Sequence, residues 1–271
     1  MSNPKVSVVM PNYNCEKYIW EAIESILNQN FTDFEFIIVD DGSSDNSWDI
    51  IQEYVKRDDR IIAIKNKENL KICKTLNKWI DIAKWEYIAR MDSDDISISD
   101  RFEKQVKFLD ENEDIWIVWG TMQIMDEDWK VYSERKYNLT DLEIRKKIFR
   151  YSPFCHPITM IRANILEKSW LYDVNINLWE DYDLYFRIWQ YSQFANLKDV
   201  LIKYRMFEWN STTTKLRQME SLTLKIRKKA IKEYWYSMTL WDKISYYLQL
   251  ISMYIIPWKV KIWLFNLIRN K

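Results

Sequence analysis

The sequence predicts an α/β fold built on a mostly parallel sheet with helices on both faces. Short apolar, β-branched runs alternate with segments of helical spacing through the first ninety residues. A βαβαβαβ rhythm of this kind is what parallel strands joined by right-handed crossovers produce. Polar clusters also follow three of the strands, at the carboxyl ends where such sheets bind ligands.

Lys5 to Pro11 (KVSVVMP) is a β-branched run that reads as a buried strand. Glu16 to Asn28 carries Ile19, Ala22, Ile23, Ile26 and Leu27 at helical spacing. Phe34 to Val39 is a second buried strand. Ser44 to Arg57 is a helix with cap candidates Ser44, Asp45 and Asn46. Ile61 to Lys65 is a third strand, Thr75 to Ala83 a helix, and Tyr87 to Met91 a fourth strand. Arg101 to Glu111 is helical, and Ile115 to Val118 and Thr121 to Met125 are strand-like, continuing past a turn near Asp128. Glu180 opens a helix that runs to Tyr191, and beyond Thr214 the chain is helical and basic. No internal repeat or low-complexity linker appears.

With 271 residues, 48% of them hydrophobic and 30% charged, the chain is long enough for one large domain, or one domain and an appendage. Net charge is zero but uneven. Lys215 to Lys271 holds 12 Lys and Arg against 3 Asp and Glu, so the first 214 residues carry the compensating negative charge. A basic tail implies an anionic partner, most simply a membrane surface, unless it is only a solvated helical face. Ile244 to Ile256 lacks charge but spans 13 residues, short of the ~20 that cross a bilayer. Tyr246, Tyr247, Tyr254 and Trp258 are candidate interfacial anchors. The N-terminus enters a strand directly, without a signal-peptide pattern. Cys15, Cys73 and Cys155 lack paired spacing, which predicts neither disulfide nor zinc and fits a reducing cytoplasm.

The three clusters are Pro11-Asn12-Tyr13-Asn14, Asp40-Asp41-Gly42-Ser43 and Asp92-Ser93-Asp94-Asp95. Two carboxylates two residues apart just past a strand can reach one hard cation together. Mg²⁺ or Mn²⁺ favours such oxygen ligands plus substrate phosphates. It would neutralise charge on a departing diphosphate. Asp94 is the best candidate ligand, and Asp92 either ligates too or bonds a ribose. No GxxxxGK[ST] or GxGxxG is present, so phosphate-loop and dinucleotide readings lack support. His156, the single histidine, fits a structural or substrate-binding role better than a catalytic one.

Three motifs in order resemble the family 2 glycosyltransferases of GT-A, Rossmann-like fold: Val8-Val9-Met10-Pro11-Asn12-Tyr13-Asn14, Ile37-Ile38-Val39-Asp40-Asp41-Gly42-Ser43-Ser44-Asp45, and Ile88-Ala89-Arg90-Met91-Asp92-Ser93-Asp94-Asp95. Glu180-Asp181-Tyr182-Asp183-Leu184 and Arg187 fit as well, so the resemblance covers residues 5–210. It implies a nucleotide-sugar donor, UDP- or dTDP-linked, and a hydroxyl acceptor on a glycan or lipid carrier. It places Pro11, Tyr13 and Asn14 at the base and ribose, and Asp40 on the base. The rest of the nucleotide-sugar pocket is Asp41, Gly42, Arg90, Asp92 and Ser93. It makes Asp94 and Asp92 ligands for Mn²⁺ or Mg²⁺. Asp181, or with less support Glu180, becomes the general base of an inverting transfer in cell-envelope synthesis. On this reading 1–214 is the transferase domain, with 1–100 a nucleotide-binding half and 101–214 an acceptor half. Residues 215–271 form a tail in peripheral contact with the cytoplasmic membrane face, and no nucleic acid partner is expected. Two other classes compete. A dehalogenase-type phosphatase also places Asp-x-Asp after a strand, but leaves Asp40-Asp41-Gly42-Ser43 unexplained. The third is a non-catalytic nucleotide-sugar binding module.

One compositional feature departs from the family. The chain has 2 Gly and 15 Trp, where ordinary chains carry about 7% Gly. Trp20, Trp79, Trp85 and Trp129 stand at positions where the family carries turn glycines. Asp128-Trp129 lies between strand-like runs, where Asp-Gly is the expected hairpin turn. Trp116 and Trp119 would overpack a core by about 1–3 kcal/mol. The expectation is that many of these positions are glycine in the cell, through UGA read as glycine.

Overall fold

The computed structural model describes residues 4–80, 86–169, 171–176, 178–207, 215–257 and 260–261. The first half contains β1 (Val6–Asn12), α1 (Ile19–Leu27), β2 (Phe34–Asp40), α2 (Ser47–Val55), β3 (Ile61–Lys65), α3 (Ile72–Ile80) and β4 (Tyr87–Arg90). β1 pairs in parallel with β2 and β4, and β2 with β3. The chain therefore leaves β1 in both directions, and a crevice opens above the carboxyl ends of β1 and β4. β1 is buried along its whole length, as its unbroken apolar run implies.

The second half contains β5 (Ile96–Ser97), α4 (Arg101–Glu111), β6 (Ile115–Met125), β7 (Val131–Arg135), α5 (Asp141–Arg145), a single 3₁₀ turn at His156–Ile158, β8 (Met160–Arg162), α6 (Asn164–Ser169), α7 (Glu180–Ile188) and β9 (Gln193–Arg205). The nine strands form one sheet in the order β3-β2-β1-β4-β8-β6-β9-β5, with β7 paired to β6. β8 runs antiparallel to β4 and β6, whereas β9 runs parallel to β6 and antiparallel to β5.

Several boundaries differ from the sequence reading. The two strand segments expected at 115–118 and 121–125 are one strand, β6. α1 starts at Ile19 because Glu16 turns away to accept the backbone N–H of Asn46 at 2.9 Å. α2 starts at Ser47, whose N–H donates to Asp45 Oδ1 at 3.0 Å. α7 ends at Ile188 rather than Tyr191. The helix end expected at Ala83, together with Trp85, the 214/215 boundary, Trp258 and the chain beyond 261, lies outside the described residues.

Five non-glycine residues among those described have positive φ: Asn14 (51°), Lys71 (69°), Trp129 (62°), Trp179 (62°) and Trp235 (56°). The left-handed region costs a side chain about 1–2 kcal/mol. Trp129 therefore sits where the hairpin reading placed a glycine. Trp20 and Trp79 do not: they lie inside α1 and α3, where helical backbone makes no such demand. The core also accommodates Trp119, against expectation. Phe154 stacks on it at 4.0 Å, Tyr185 and Phe194 meet it edge-on, and its indole N–H donates to Tyr185 Oη at 3.4 Å. Trp116 is half-buried, its indole N–H donating to the Glu113 carbonyl at 3.1 Å.

The C-terminal region forms α8 (Leu216–Glu233) and α9 (Leu240–Ile255), the latter opened by a Thr239–Asp242 capping box. α8 packs on α7: Lys229 pairs with Asp183 at 2.9 Å, and Arg227 donates to Tyr182 Oη at 3.1 Å and to Gln249 of α9 at 2.7 Å. Tyr246, expected as an interfacial anchor, is buried between the two helices at 8% exposure, whereas Tyr247 and Tyr254 are 60% and 85% exposed. No helix among the described residues is long and apolar enough to cross a membrane.

At the end of β9, Arg205 is wholly buried and pairs with Glu21 of α1 at 2.5 Å. Removing one partner of a buried pair leaves the other charge uncompensated. Arg205→Met should therefore cost about 3–5 kcal/mol, measured by urea unfolding. A cost below about 1 kcal/mol would mean that Glu21 finds water or another cation.

Candidate active site

The floor of the crevice is the β1–β2 end. Asn12 and Asp40 lie opposite each other in register. The Asn12 amide donates to Asp40 Oδ2 at 3.0 Å, and the Ser43 N–H donates to Asp40 Oδ1 at 3.0 Å. These bonds fix a wholly buried carboxylate at the strand end. Asn14 adopts a left-handed turn, receives the Ser44 N–H on Oδ1 at 2.8 Å, and leaves Tyr13 half-exposed above the crevice. Pro11 is buried at the strand end. Asp41 faces elsewhere: Asn66, Leu70 N–H, Lys71 N–H and Thr75 all donate to it at 2.7–3.0 Å. Its carboxylate thus organises the loop between β3 and α3. Gly42 has φ 76°, and a Cβ there would meet the Glu68 carbonyl carbon at 2.9 Å, so the turn admits only glycine.

The acidic loop follows β4. Carboxylate oxygens of Asp92, Asp94 and Asp95 lie within 4.8 Å of one another. Burial and the charge of Asp92 push Asp94 up to about 7. Burial and the charge of Asp94 push Asp95 well above the carboxylate range. Asp95 Oδ1 receives the Arg205 N–H at 2.8 Å, while its other oxygen is buried without a partner. Arg205 Nε also donates to the Asp94 carbonyl at 2.9 Å, and Cys15 Sγ donates to the Ser93 carbonyl at 3.3 Å. The loop is thus held by its backbone from two sides, which leaves carboxylates to converge. Converging, mutually repelling oxygens with one unpaired lone-pair face suit a hard divalent cation.

Arg90, on β4, joins this loop to the opposite wall. Its guanidinium pairs with Asp92 at 2.5 Å, while Nε and Nη1 are buried with no protein partner. The opposite wall is the start of α7, where Glu180 and Asp181 are both buried. Burial, then the charge of Asp181, pushes Glu180 up to about 7; burial pushes Asp181 up to about 6, and the charges of Arg90 and Asp92 reach both. His156 Nε2 shares a hydrogen bond with Tyr172 Oη at 2.9 Å, and its Nδ1 lies 3.8 Å from Glu180. Burial and Arg90 hold this imidazole well below its usual range, so it is neutral.

The structure therefore gathers Arg90, Asp92, Asp94, Glu180 and Asp181 into one electrostatic site, with Asp40, Asn14 and Tyr13 at the neighbouring β1–β2 end. Sequence reasoning missed Tyr172, Arg205 and Glu21. Each contributes from a segment distant in sequence, although the isolated Arg ending an apolar strand (Val200-Leu201-Ile202-Lys203-Tyr204-Arg205) is a usable signal.

Residues 7–170 match the family model described as Glycosyl transferase family 2. An uncharacterised glycosyltransferase of Methanocaldococcus jannaschii is 36% identical over 265 residues, 94% of this chain and 90% of that protein. The O-antigen biosynthesis glycosyltransferase WbnJ of Escherichia coli is 31% identical over 228 residues, 82% of this chain and 87% of that protein. Among solved structures, residues 1–349 of S. aureus TarS in complex with UDP-GlcNAc give a TM-score of 0.65 at 20% identity, over 82% of this chain and 66% of that one. This chain spans 40% of the longer TarS chain. The mannosyltransferase PcManGT of Pyrobaculum calidifontis, solved with GDP-Man and Mn²⁺, gives 0.67 at 15% identity, over 94% of this chain and 71% of that one. The chain belongs to glycosyl transferase family 2, and its fold is the GT-A fold.

Carboxylates raised by burial and then by repulsion destabilise the ionised native state. A raised folded pKa means that stability falls as pH rises from the unfolded value, near 4, through the folded value, near 7. Asp94→Asn should therefore melt higher than the unaltered protein at pH 8 without metal, with no difference below pH of about 4. Mn²⁺ should raise the melting temperature of the unaltered protein and not that of Asp94→Asn. An Mn²⁺ shift that survives the substitution would remove Asp94 as a ligand.

Proposed function

We propose that this family 2 glycosyltransferase moves a sugar from a UDP- or dTDP-linked donor to a hydroxyl of a glycan or lipid-linked acceptor, inverting the anomeric centre, in cell-envelope polysaccharide or glycolipid assembly. The observation that carries this reading is Arg90, a half-paired buried guanidinium between the acidic loop and the Glu180–Asp181 wall. A cation at that place suits the diphosphate of a donor whose sugar points toward α7. The envelope role is supported by the O-antigen relative, and the nucleotide-sugar and metal by the ligands of the two solved neighbours.

Residues 1–100 would bind the nucleotide. Asp40, fixed by Asn12 and the Ser43 N–H, would accept from the base, and Tyr13 and Asn14 would line base and ribose. Asp41 and Gly42 would shape that pocket, and Ser93 would present backbone beside the phosphates. Asp92 and Asp94 would hold Mn²⁺ or Mg²⁺, which neutralises diphosphate charge when bound. Asp95 supports the loop.

Residues 101–214 would hold the acceptor. Asp181 takes the proton of the attacking hydroxyl as the new glycosidic bond forms on the face opposite the leaving nucleotide. Raised to about 6, it is ionised at neutral pH yet basic enough to be a useful acceptor. Glu180, beside a neutral His156, is the proton-bearing partner that keeps the two carboxyls from ionising together.

Residues 215–271 would contact the cytoplasmic membrane face. α9 exposes Leu240, Tyr247, Leu248, Ile251, Tyr254 and Ile255, and the region holds a large excess of Lys and Arg. Apolar area beside positive charge is what anionic lipid interfaces bind.

A donor panel scored by nucleotide release should show activity that EDTA removes and Mn²⁺ or Mg²⁺ restores. Activity indifferent to metal with every donor would sink the metal assignment. Asp181→Asn should lower kcat about 10²–10⁴-fold while donor binding survives. Its parent's rate should rise with pH through about 6, as the base loses its proton. Full turnover in Asp181→Asn would point to Glu180 instead. Leu248→Asp with Ile251→Asp should weaken sedimentation with anionic vesicles at least about tenfold. Transfer to a water-soluble acceptor should be untouched. Equal sedimentation of parent and variant would exclude α9 as the contact.

A further inference from the structure

Glycine supply and glycine demand do not match along this chain. It has two glycines, and Gly42 combines positive φ with a backbone clash for any added Cβ. Gly42 has φ 76°, and at Gly120 an added Cβ would come within 2.5 Å of Leu201 Cδ1. Three further positions have the backbone that glycine favours and carry the bulkiest residue: Trp129 (φ 62°), Trp179 (φ 62°) and Trp235 (φ 56°). Tryptophan thus supplies three of the five non-glycine residues with positive φ among those described. Of the other two, Asn14 is of the type that tolerates this region.

The surroundings of the three agree with the backbone. Trp129 ends the β6–β7 loop turn that its N–H closes onto the Asp126 carbonyl at 3.3 Å, a place where longer hairpin loops commonly carry a left-handed residue, and its side chain is 55% exposed. Trp235 follows α8 by two residues and is 87% exposed, at the place where helices end in a left-handed glycine. Trp179 is the residue before the Glu180–Asp181 wall, and its indole N–H is buried without a partner. What the three share is the left-handed backbone: the Trp235 ring is solvent-exposed and the Trp179 indole N–H is unpaired, whereas the Trp129 indole N–H donates to Glu21 and its ring lies 5.7 Å from the Arg205 guanidinium. Trp119 is the contrast, since its backbone lies outside the left-handed region and its indole is packed on three sides.

We infer that positions 129, 179 and 235 are glycine in the protein its own cell makes, because a UGA codon is read there as glycine. The inference covers chain chemistry and stands whether or not the transferase reading holds. It bears on the site through position 179. Without the indole, which lies edge-on to Tyr182 at 6.2 Å, the approach to the start of α7 is wider.

Peptide mass spectrometry of the native protein, with its gene sequence, tests this directly. The inference requires UGA at all three codons and glycine in the matching peptides. UGG codons, or tryptophan in those peptides, would overturn it. A second test uses recombinant protein carrying the sequence as written. Trp235→Gly, whose ring is exposed, should raise the melting temperature by about 2–4 °C. The matching Trp235→Ala variant, which loses the ring but keeps a Cβ, should gain less than half of that. Equal gains for Ala and Gly would assign the effect to ring removal and refute the demand for glycine at the backbone.

Discussion

Carboxylates of Asp92, Asp94 and Asp95 within 4.8 Å of one another repel, and a chain left to itself would splay them apart. Most of the architecture around the crevice opposes that. β9 is thirteen residues long, and its last residue is the one that reaches the loop. Arg205 grips the loop by the Asp94 carbonyl and by an Asp95 oxygen. Glu21 of α1 in turn neutralises Arg205, so the first helix, the last strand and the loop after the fourth strand form one chain of contacts. Arg90 answers Asp92 from beneath. A cation bound there would complete an arrangement that the protein by itself leaves electrically unbalanced.

The same logic explains why two neighbouring carboxyls can share the opposite wall. Glu180 and Asp181 open a helix whose N-terminal dipole favours negative charge, yet burial raises both. A histidine held neutral beside them adds a hydrogen-bonding group without adding a proton to the account. Proton affinity on that wall is therefore set by desolvation and by Arg90, not by a charged histidine.

The legible part of the fold was the part with local periodicity. β1 to β4 announce themselves as apolar runs, and polar residues follow β1, β2 and β4 at their carboxyl ends. The carboxylates that matter were visible because they cluster in sequence. β8 was not visible, since three residues carry no period. β9 was obscured by Lys198, Asp199 and Lys203 on its partly exposed positions. Arg205 and Glu21 are 184 residues apart, and nothing in either neighbourhood signals the other. Tyr172 is similarly remote from His156 in element order, although it sits only sixteen residues away. The readings that failed had physical reasons: Tyr246 is covered by the packing of α8 on α9, and Trp119 found aromatic neighbours that no pattern in the sequence places together.

The change of charge near residue 215 looks like a seam, but the packing there says otherwise. Asp183 and Tyr182 lie on the helix that begins with Glu180, and their partners Lys229 and Arg227 belong to α8. Ile226 and Ala230 of α8 are part of the main core. A chain cut at the seam would leave Asp183 buried with half its countercharge and Tyr182 without its guanidinium. The basic C-terminal region is therefore also a structural rib of the Glu180–Asp181 wall, and exchanging it for another tail would mean rebuilding that wall.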